Sequence, residues 1–249
     1  MTTAGEDPKF GLKEDWPSIQ KTLEEIVPVY DRTNRYISLG TDLKLRRKGL
    51  ELLEKSIGKP SFRILDLGCG TGRMSVELLA DIPIEKEFCV LLDPIKKMME
   101  VARFKTGLEG FLAVFENTPF RAGVFDAAMA GFAIRDAKNL SKAIEDVSKL
   151  LKTGGKFLIV DLSKPDSELK TSVIGFYWRA FAPMLAFFSS GMLGLKFAAL
   201  AKTFQRLPKN SELLSLLKHS GFNVVTAEYS MMGGVCLLLL SKESGNNFH

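Results

Sequence analysis

Ile64-Leu65-Asp66-Leu67-Gly68-Cys69-Gly70-Thr71-Gly72 carries an apolar run into a glycine-rich turn. An apolar strand, Phe62 to Leu67, runs into three glycines at alternate positions, and Arg73 to Ala80 then read as a helix. Glycines at such a junction let the backbone turn sharply and come close to a ligand, because no Cβ stands in the way. A pyrophosphate-binding turn needs its third glycine where this chain has Arg73, so the dinucleotide spacing G-x-G-x-x-G is not met.

Outward from that turn the α/β alternation continues. Phe88 to Leu92 reads as a second strand and Pro94 to Phe104 as the next helix, with Pro94 at its first position. Phe111 to Phe115 and Phe125 to Ala130 read as strands three and four. Asn139 to Lys152 sets Leu140, Ala143, Ile144, Val147, Leu150 and Leu151 on one helical stripe, which Gly154 and Gly155 should stop. Lys156 to Leu162 follows as a buried strand, and Ser211 to His219 as a helix closed by Gly221. Phe222 to Tyr229 and Val235 to Leu240 should close the chain as an antiparallel hairpin. The expected fold is α/β: a doubly wound, mostly parallel seven-stranded sheet with that hairpin and a helical insertion after strand five.

At 249 residues and 46% hydrophobic content, the chain is expected to form a single domain over 1–249, with an N-terminal extension at 1–20 and an apolar helical cap at 169–207. Met1 to Ser18 is polar and lacks the basic start and apolar core of a secretory signal, so it reads as a frayed extension. Cys69, Cys89 and Cys236 are odd in number and far apart, which argues against a zinc site or a disulfide framework and for a reduced, cytoplasmic protein. The longest uncharged stretch, between Arg179 and Lys196, is shorter than the roughly 18 apolar residues of a spanning helix and is interrupted by Pro183, Gly191 and Gly194. No membrane span is expected; peripheral membrane contact is. The 34 Lys and Arg against 29 Asp and Glu give a net charge of +5, which suits an acidic membrane surface or nucleic acid without choosing between them.

Asp93 ends the second strand roughly twenty residues past the glycine turn, where a carboxylate accepts both hydroxyl protons of a ribose. G-x-G-x-G preceded by an acid resembles motif I of the class I S-adenosylmethionine methyltransferases. Beyond it the chain resembles the UbiE-type quinone-biosynthesis C-methyltransferases from about Tyr30 to Lys242. Tyr30-Asp31-Arg32-Thr33-Asn34 with Ile37-Ser38 is similar to the first family signature, Y-D-x-M-N-x-x-[LIVM]-S. Thr118-Pro119-Phe120, Phe125-Asp126-Ala127 and Phe132-Ala133-Ile134-Arg135-Asp136 resemble L-P-F, F-D-A and F-G-L-R-N. Leu150 to Phe157 through Asp161-Leu162-Ser163 resembles V-L-K-P-G-G ending in E-x-S, and Phe204 to Pro208, Gly221-Phe222 and Met232 to Val235 resemble the closing elements. The chain departs at Thr33, at Asp42 and Leu45 in place of a His and a Trp, and at Val114, where a polar residue for the adenine amino group is expected.

The resemblance implies S-adenosylmethionine as cofactor, held by Asp66, Gly68, Cys69, Gly70, Thr71, Gly72, Asp93 and Pro94, with Glu116 or Asn117 toward adenine and Asn34 in a lid with Tyr30 and Asp31. It implies transfer to a ring carbon of a prenylated hydroquinone. Arg135, after the fourth strand, would stabilise a phenolate, Asp136 would relay a proton and Tyr30 would pack on or bond to the methionine portion. His219 and His249 are poorly placed as bases. The apolar run Phe176 to Leu193 would wall an isoprenoid pocket and dip toward the bilayer, with Lys170, Arg179 and Lys196 facing headgroups; the same surface also suits a helical cap or a homodimer. Another small-molecule or lipid acceptor and a cofactor-binding module without catalysis remain alternatives. No nucleic-acid partner is expected, since no aromatic-and-basic stacking motif is present.

Overall fold

In the computed structural model, which describes residues 10–57 and 62–243, seven strands form one sheet in the order β3-β2-β1-β4-β5-β7-β6. The strands are β1 Ile64–Leu67, β2 Cys89–Leu92, β3 Glu109–Phe111, β4 Phe125–Gly131, β5 Leu151–Leu162, β6 Phe222–Ser230 and β7 Val235–Lys242. The first five are parallel, while β7 runs antiparallel between β5 and β6. Chain order reverses between β1 and β4, so both strands open their carboxyl ends onto one crevice.

Helices cover both faces. On one, α6 (Leu140–Leu150) and α10 (Asn210–His219) bury Ile144, Val147, Leu213 and Leu217 against Phe125, Phe157 and Phe222. On the other, α3 (Thr41–Ile57), α4 (Arg73–Asp81) and α5 (Lys96–Thr106) pack Leu50, Leu53, Met74, Leu78 and Ala102 on Ile64, Leu91 and Leu158. Each of these side chains other than Ala102 contributes about 1.5–3 kcal/mol by leaving water.

Four local expectations are corrected. Strand three is Glu109–Phe111 rather than Phe111 to Phe115, because the chain bends into a bridge between Val114 and Asn117 and Phe115 turns inward. The helix after Asp93 starts at Lys96, since the Ile95 amide donates to Asp93 Oδ1 and holds Pro94 outside the first turn. Helix α6 ends at Leu150, ahead of the glycine pair; between the Phe125↔Leu151 and Ala127↔Lys156 pairings, β5 accommodates an irregularity containing Gly154 at φ +74° and Gly155. A Cβ on Gly155 would sit 2.7 Å from the Lys152 carbonyl oxygen, so the pair serves the strand.

The fourth correction concerns the N-terminus. Residues 1–9 lie outside the described residues, but from Phe10 the chain is anchored: the Leu12 and Lys13 amides donate to the carbonyls of Ala137 and Lys138, and Leu12 is buried. Helix α1 (Trp16–Ile26) then buries Ile19, Leu23 and Ile26, and α2 (Tyr30–Ile37) follows with Asn34 inside it. The charged residues among 1–20 concealed this apolar face.

The cap comprises α7 (Glu168–Phe176), a π-helical turn Tyr177–Phe181, α8 (Ala182–Leu195) and, past a 3₁₀ turn, α9 (Ala201–Arg206). By length and composition alone Glu168–Arg206 would suffice to cross a bilayer, contrary to the reading of its sequence. The run is nonetheless broken at Ser190 and Gly191, whose backbones are non-helical. Thr33 Oγ1 lies 2.7 Å from Ser190 Oγ, which ties α2 to that break and gives the Thr33 departure a structural role.

Candidate active site

The glycine turn sits at the crevice. Gly68 has φ +64°, and a Cβ there would meet Ala133 Cβ at 2.6 Å and Phe115 Cζ at 2.9 Å. Gly72, at φ +80°, caps α4, and a Cβ there would lie 3.0 Å from Ala102 Cα in α5. Around a Cβ on Gly70 there is only Tyr30 Cε1, at 3.9 Å, so this residue faces open space. Its amide donates to Asp93 Oδ2 at 2.8 Å.

Beneath the turn, Ser75 Oγ donates to Asp66 Oδ2 at 2.6 Å, while Asp66 Oδ1 is buried without a hydrogen bond. Thr71 Oγ1 donates to Asp31 Oδ1 at 2.6 Å, and Cys69 is buried. Asp66, Cys69, Thr71 and Gly72 therefore shape the turn and border neither of the two cavities beside it.

Two cavities flank this point. The smaller, about 60 Å³, is bordered by Gly68, Gly70, Asp93, Pro94, Glu116 and Asp136, and α1 covers it with Trp16, Ile19 and Leu23. The larger, about 320 Å³, is bordered by Asn34, Arg46, Arg135, Leu162, Ile174, Tyr177 and Trp178 among others. Tyr30 and Phe132 border both. Phe132 has φ +59°, a rare conformation for a bulky residue, held by its amide donating to the Val160 carbonyl at 2.6 Å.

The expected site residues thus divide. Gly68, Gly70, Asp93, Pro94, Glu116 and Asp136 meet at the smaller cavity, Asn34 and Arg135 at the larger, and Tyr30 at both. Asn117 is exposed and borders neither, and the Glu116 carboxylate already accepts the Asn139 amide at 2.8 Å. His219 is exposed in α10, with Nδ1 2.7 Å from the Ser215 carbonyl; His249 lies outside the described residues.

Arg135 is buried and doubly paired, with Nη1 3.1 Å from Asp161 Oδ1 and Nε 3.6 Å from Asp136 Oδ1. Burial alone would lower its pKa, but the Asp136 and Asp161 carboxylates together raise it above the ordinary arginine value. Burial lifts Asp136 to about 6 despite Arg135, and lifts Asp93 and Asp66 to about 6 as well. Tyr30 is also raised by burial.

Two participants were missed. Asp161, quoted only as part of a family signature, is the main partner of Arg135. Arg46 lies on the buried stripe of α3 with Asp42, Gly49, Leu50 and Leu53, so a charge standing at an apolar-stripe position was the available signal.

A sequence model of the ubiE/COQ5 methyltransferase family matches residues 9–242. The chain is 27% identical to the ubiquinone/menaquinone biosynthesis C-methyltransferase UbiE of Geotalea uraniireducens, over 94% of this chain and 100% of that protein. It is 29% identical to the demethylmenaquinone methyltransferase of Thermus thermophilus, over 80% and 90%, and 28% identical to the 2-phytyl-1,4-naphtoquinone methyltransferase of Nostoc punctiforme, over 90% and 98%. Among solved structures, a SAM-dependent methyltransferase from Thermotoga maritima aligns with a TM-score of 0.61 at 17% identity, over 91% of this chain and 100% of that one. The 1,6-didemethyltoxoflavin-N1-methyltransferase of Burkholderia thailandensis, solved with S-adenosylhomocysteine, aligns at 0.56 and 14% identity over 98% and 94%. At such identities the solved structures show the fold, which is that of a class I methyltransferase.

Proposed function

This chain belongs to the ubiE/COQ5 methyltransferase family, and on that premise we propose that it C-methylates a prenylated hydroquinone with S-adenosylmethionine as donor. The observation that carries the reading is the pair of cavities meeting at Tyr30 and Phe132, one at the glycine turn and one walled by apolar side chains. Relatives named for ubiquinone, menaquinone and phytyl naphthoquinone methylation support the choice of acceptor class.

The residues of the smaller cavity fit the cofactor. Asp93 keeps lone pairs for ribose hydroxyls beyond its two backbone donors, and the open space at Gly70 admits a ligand against the main chain. The cofactor's sulfonium supplies an electrophilic methyl group. The space is about 60 Å³ and is covered by Trp16, Ile19 and Leu23 of α1.

The protein's own part is alignment and proton handling. Tyr30 and Phe132, standing between the cavities, fix the line along which donor and ring carbon meet. Arg135, held by Asp161 and Asp136, keeps a fixed positive charge at the edge of the acceptor cavity. Asp136, with its pKa near 6, is mostly ionised at neutral pH and takes up the ring proton after transfer. The isoprenoid tail leaves past Val173 and the cap, whose exposed Phe176, Phe188 and Met192 rest on the membrane from the cytoplasmic side.

Mass spectrometry of lipid quinones from cells lacking this chain tests the reading. A quinone lighter by one methyl group should accumulate and disappear on complementation; an unchanged quinone profile refutes the proposal.

A further inference from the structure

Arg46 is 8% exposed and borders the larger cavity, yet among the described residues no carboxylate oxygen lies within 4 Å of its guanidinium. Its Nη1 reaches only the thioether of Met74, at 3.9 Å, a weak acceptor. Its Nε is buried without a hydrogen-bond partner. The ring of Phe132 lies 5.0 Å from its Cζ and supplies only a quadrupole. The acid one helical turn before it in α3, Asp42, is engaged elsewhere: Arg73 Nη1 stands 3.1 Å from Asp42 Oδ2, and Ser38 Oγ donates to Oδ1 at 3.0 Å.

A buried cation without a counterion is costly, so an anion entering the cavity beside it would relieve that cost. The contrast with Arg135 decides where an anion belongs. Arg135 borders the same cavity but already faces two carboxylates, whereas Arg46 faces none at contact distance. Burial, and the nearby charge of Arg73, pull the Arg46 pKa below the ordinary arginine value, with Asp42, Tyr30 and Asp66 opposing. An arginine nevertheless stays charged at neutral pH.

We propose that Arg46 is the anion-binding residue of the acceptor cavity, gripping the ionised oxygen of an aromatic hydroxyl group while Phe132 packs beside it. The inference rests on reading the larger cavity as the acceptor site, and it deepens that reading: the ligand is an aromatic oxyanion. The hydroxyl proton passes to solvent as the ligand binds, so the ring enters as a phenolate, with its neighbouring carbon made nucleophilic. Arg135 then acts as a positioning residue that fixes Asp136.

The test compares two probes that differ by one oxyanion. 2-Hydroxy-1,4-naphthoquinone is ionised at neutral pH, and 1,4-naphthoquinone has the same ring without that charge. Both are titrated into the full chain with S-adenosylhomocysteine present. Arg46→Met should weaken the anionic probe roughly ten- to hundredfold, the range of a hydrogen bond to a charged group, and the neutral probe by less than about twofold. Arg46→Lys should fall between wild type and Arg46→Met for the anion. Retained S-adenosylhomocysteine binding shows that a variant is folded; if Arg46→Met fails this control, Arg46→Gln gives the same comparison. Equal weakening of both probes, no weakening of the anion, or no binding of the anion by the wild type overturns the assignment. If Arg46-dependent anion binding persists but the wild type does not methylate a prenylated naphthoquinol, the quinol reading fails and Arg46 keeps its role.

Discussion

Asp93 has two backbone donors, from Gly70 and Ile95, and is nevertheless pushed up to about 6, because burial disfavours its charged form more than those bonds favour it. Asp66 and Asp136 behave likewise. Folded pKa values near 6 against an ordinary 3.8 mean that the native state holds protons more tightly than the unfolded chain. Their contribution to stability is fully present below 3.8 and is lost as pH rises through about 6. On the proposed reading of Asp93 as the ribose ligand, binding runs the other way, since only the ionised carboxylate would accept both ribose protons. Calorimetry with S-adenosylhomocysteine should therefore show affinity falling as pH drops through about 6. Asp93→Asn should bind roughly ten- to hundredfold more weakly at alkaline pH and lose most of this dependence; an affinity that rises on acidification contradicts the assignment. That Asp93 meets Gly68 and Gly70 was legible, because their placement is local, fixed by a strand end and a turn. The burial of Arg46 could be read from its place on the α3 stripe, but its lack of a partner could not, because that depends on Asp42 turning to Arg73, which only the packing of α3 on α4 reveals.

Periodicity succeeds in α6 and misleads in α1 and α8. The stripe of α6 was readable because Ile144, Val147 and Leu150 face one uniform apolar layer, with the Asn139 side chain accepting the Lys142 amide as a cap. Helix α1 was overlooked because its buried face, Ile19, Leu23 and Ile26, is spaced among Gln20, Lys21, Glu24 and Glu25. In the cap, apolar residues point both ways: Ile174, Ala182 and Ala186 go inward, while Phe188 and Met192 are 73% and 75% exposed. Lys196, expected at headgroups, pairs instead with Glu25 of α1, while Lys170 and Arg179 stay exposed. If this surface meets lipid, Phe188→Glu combined with Met192→Glu should lower partitioning onto vesicles containing anionic lipid about tenfold or more, with S-adenosylhomocysteine affinity unchanged. Vesicle binding that survives both charges would show that the cap serves another purpose.

Across the whole molecule, the sheet order places the ends of β1 and β4 side by side, and from them come the glycine turn and the Phe132-to-Asp136 segment. The α/β alternation and the closing hairpin could be read in advance, since buried parallel strands are continuous apolar runs. The division into two cavities could not, because it depends on α1, α2 and the cap folding over the crevice from opposite ends of the chain. Tyr30 and Phe132 stand where the cavities meet, and the account depends on a methyl group passing between them. The most direct measurement follows a carbon-13 methyl group from labelled S-adenosylmethionine into a chemically reduced 2-prenyl-1,4-naphthoquinone, read by NMR. One labelled methyl on the vacant ring carbon is expected for each S-adenosylhomocysteine released. Label found only on oxygen, or S-adenosylmethionine left unconsumed by folded protein, would contradict it.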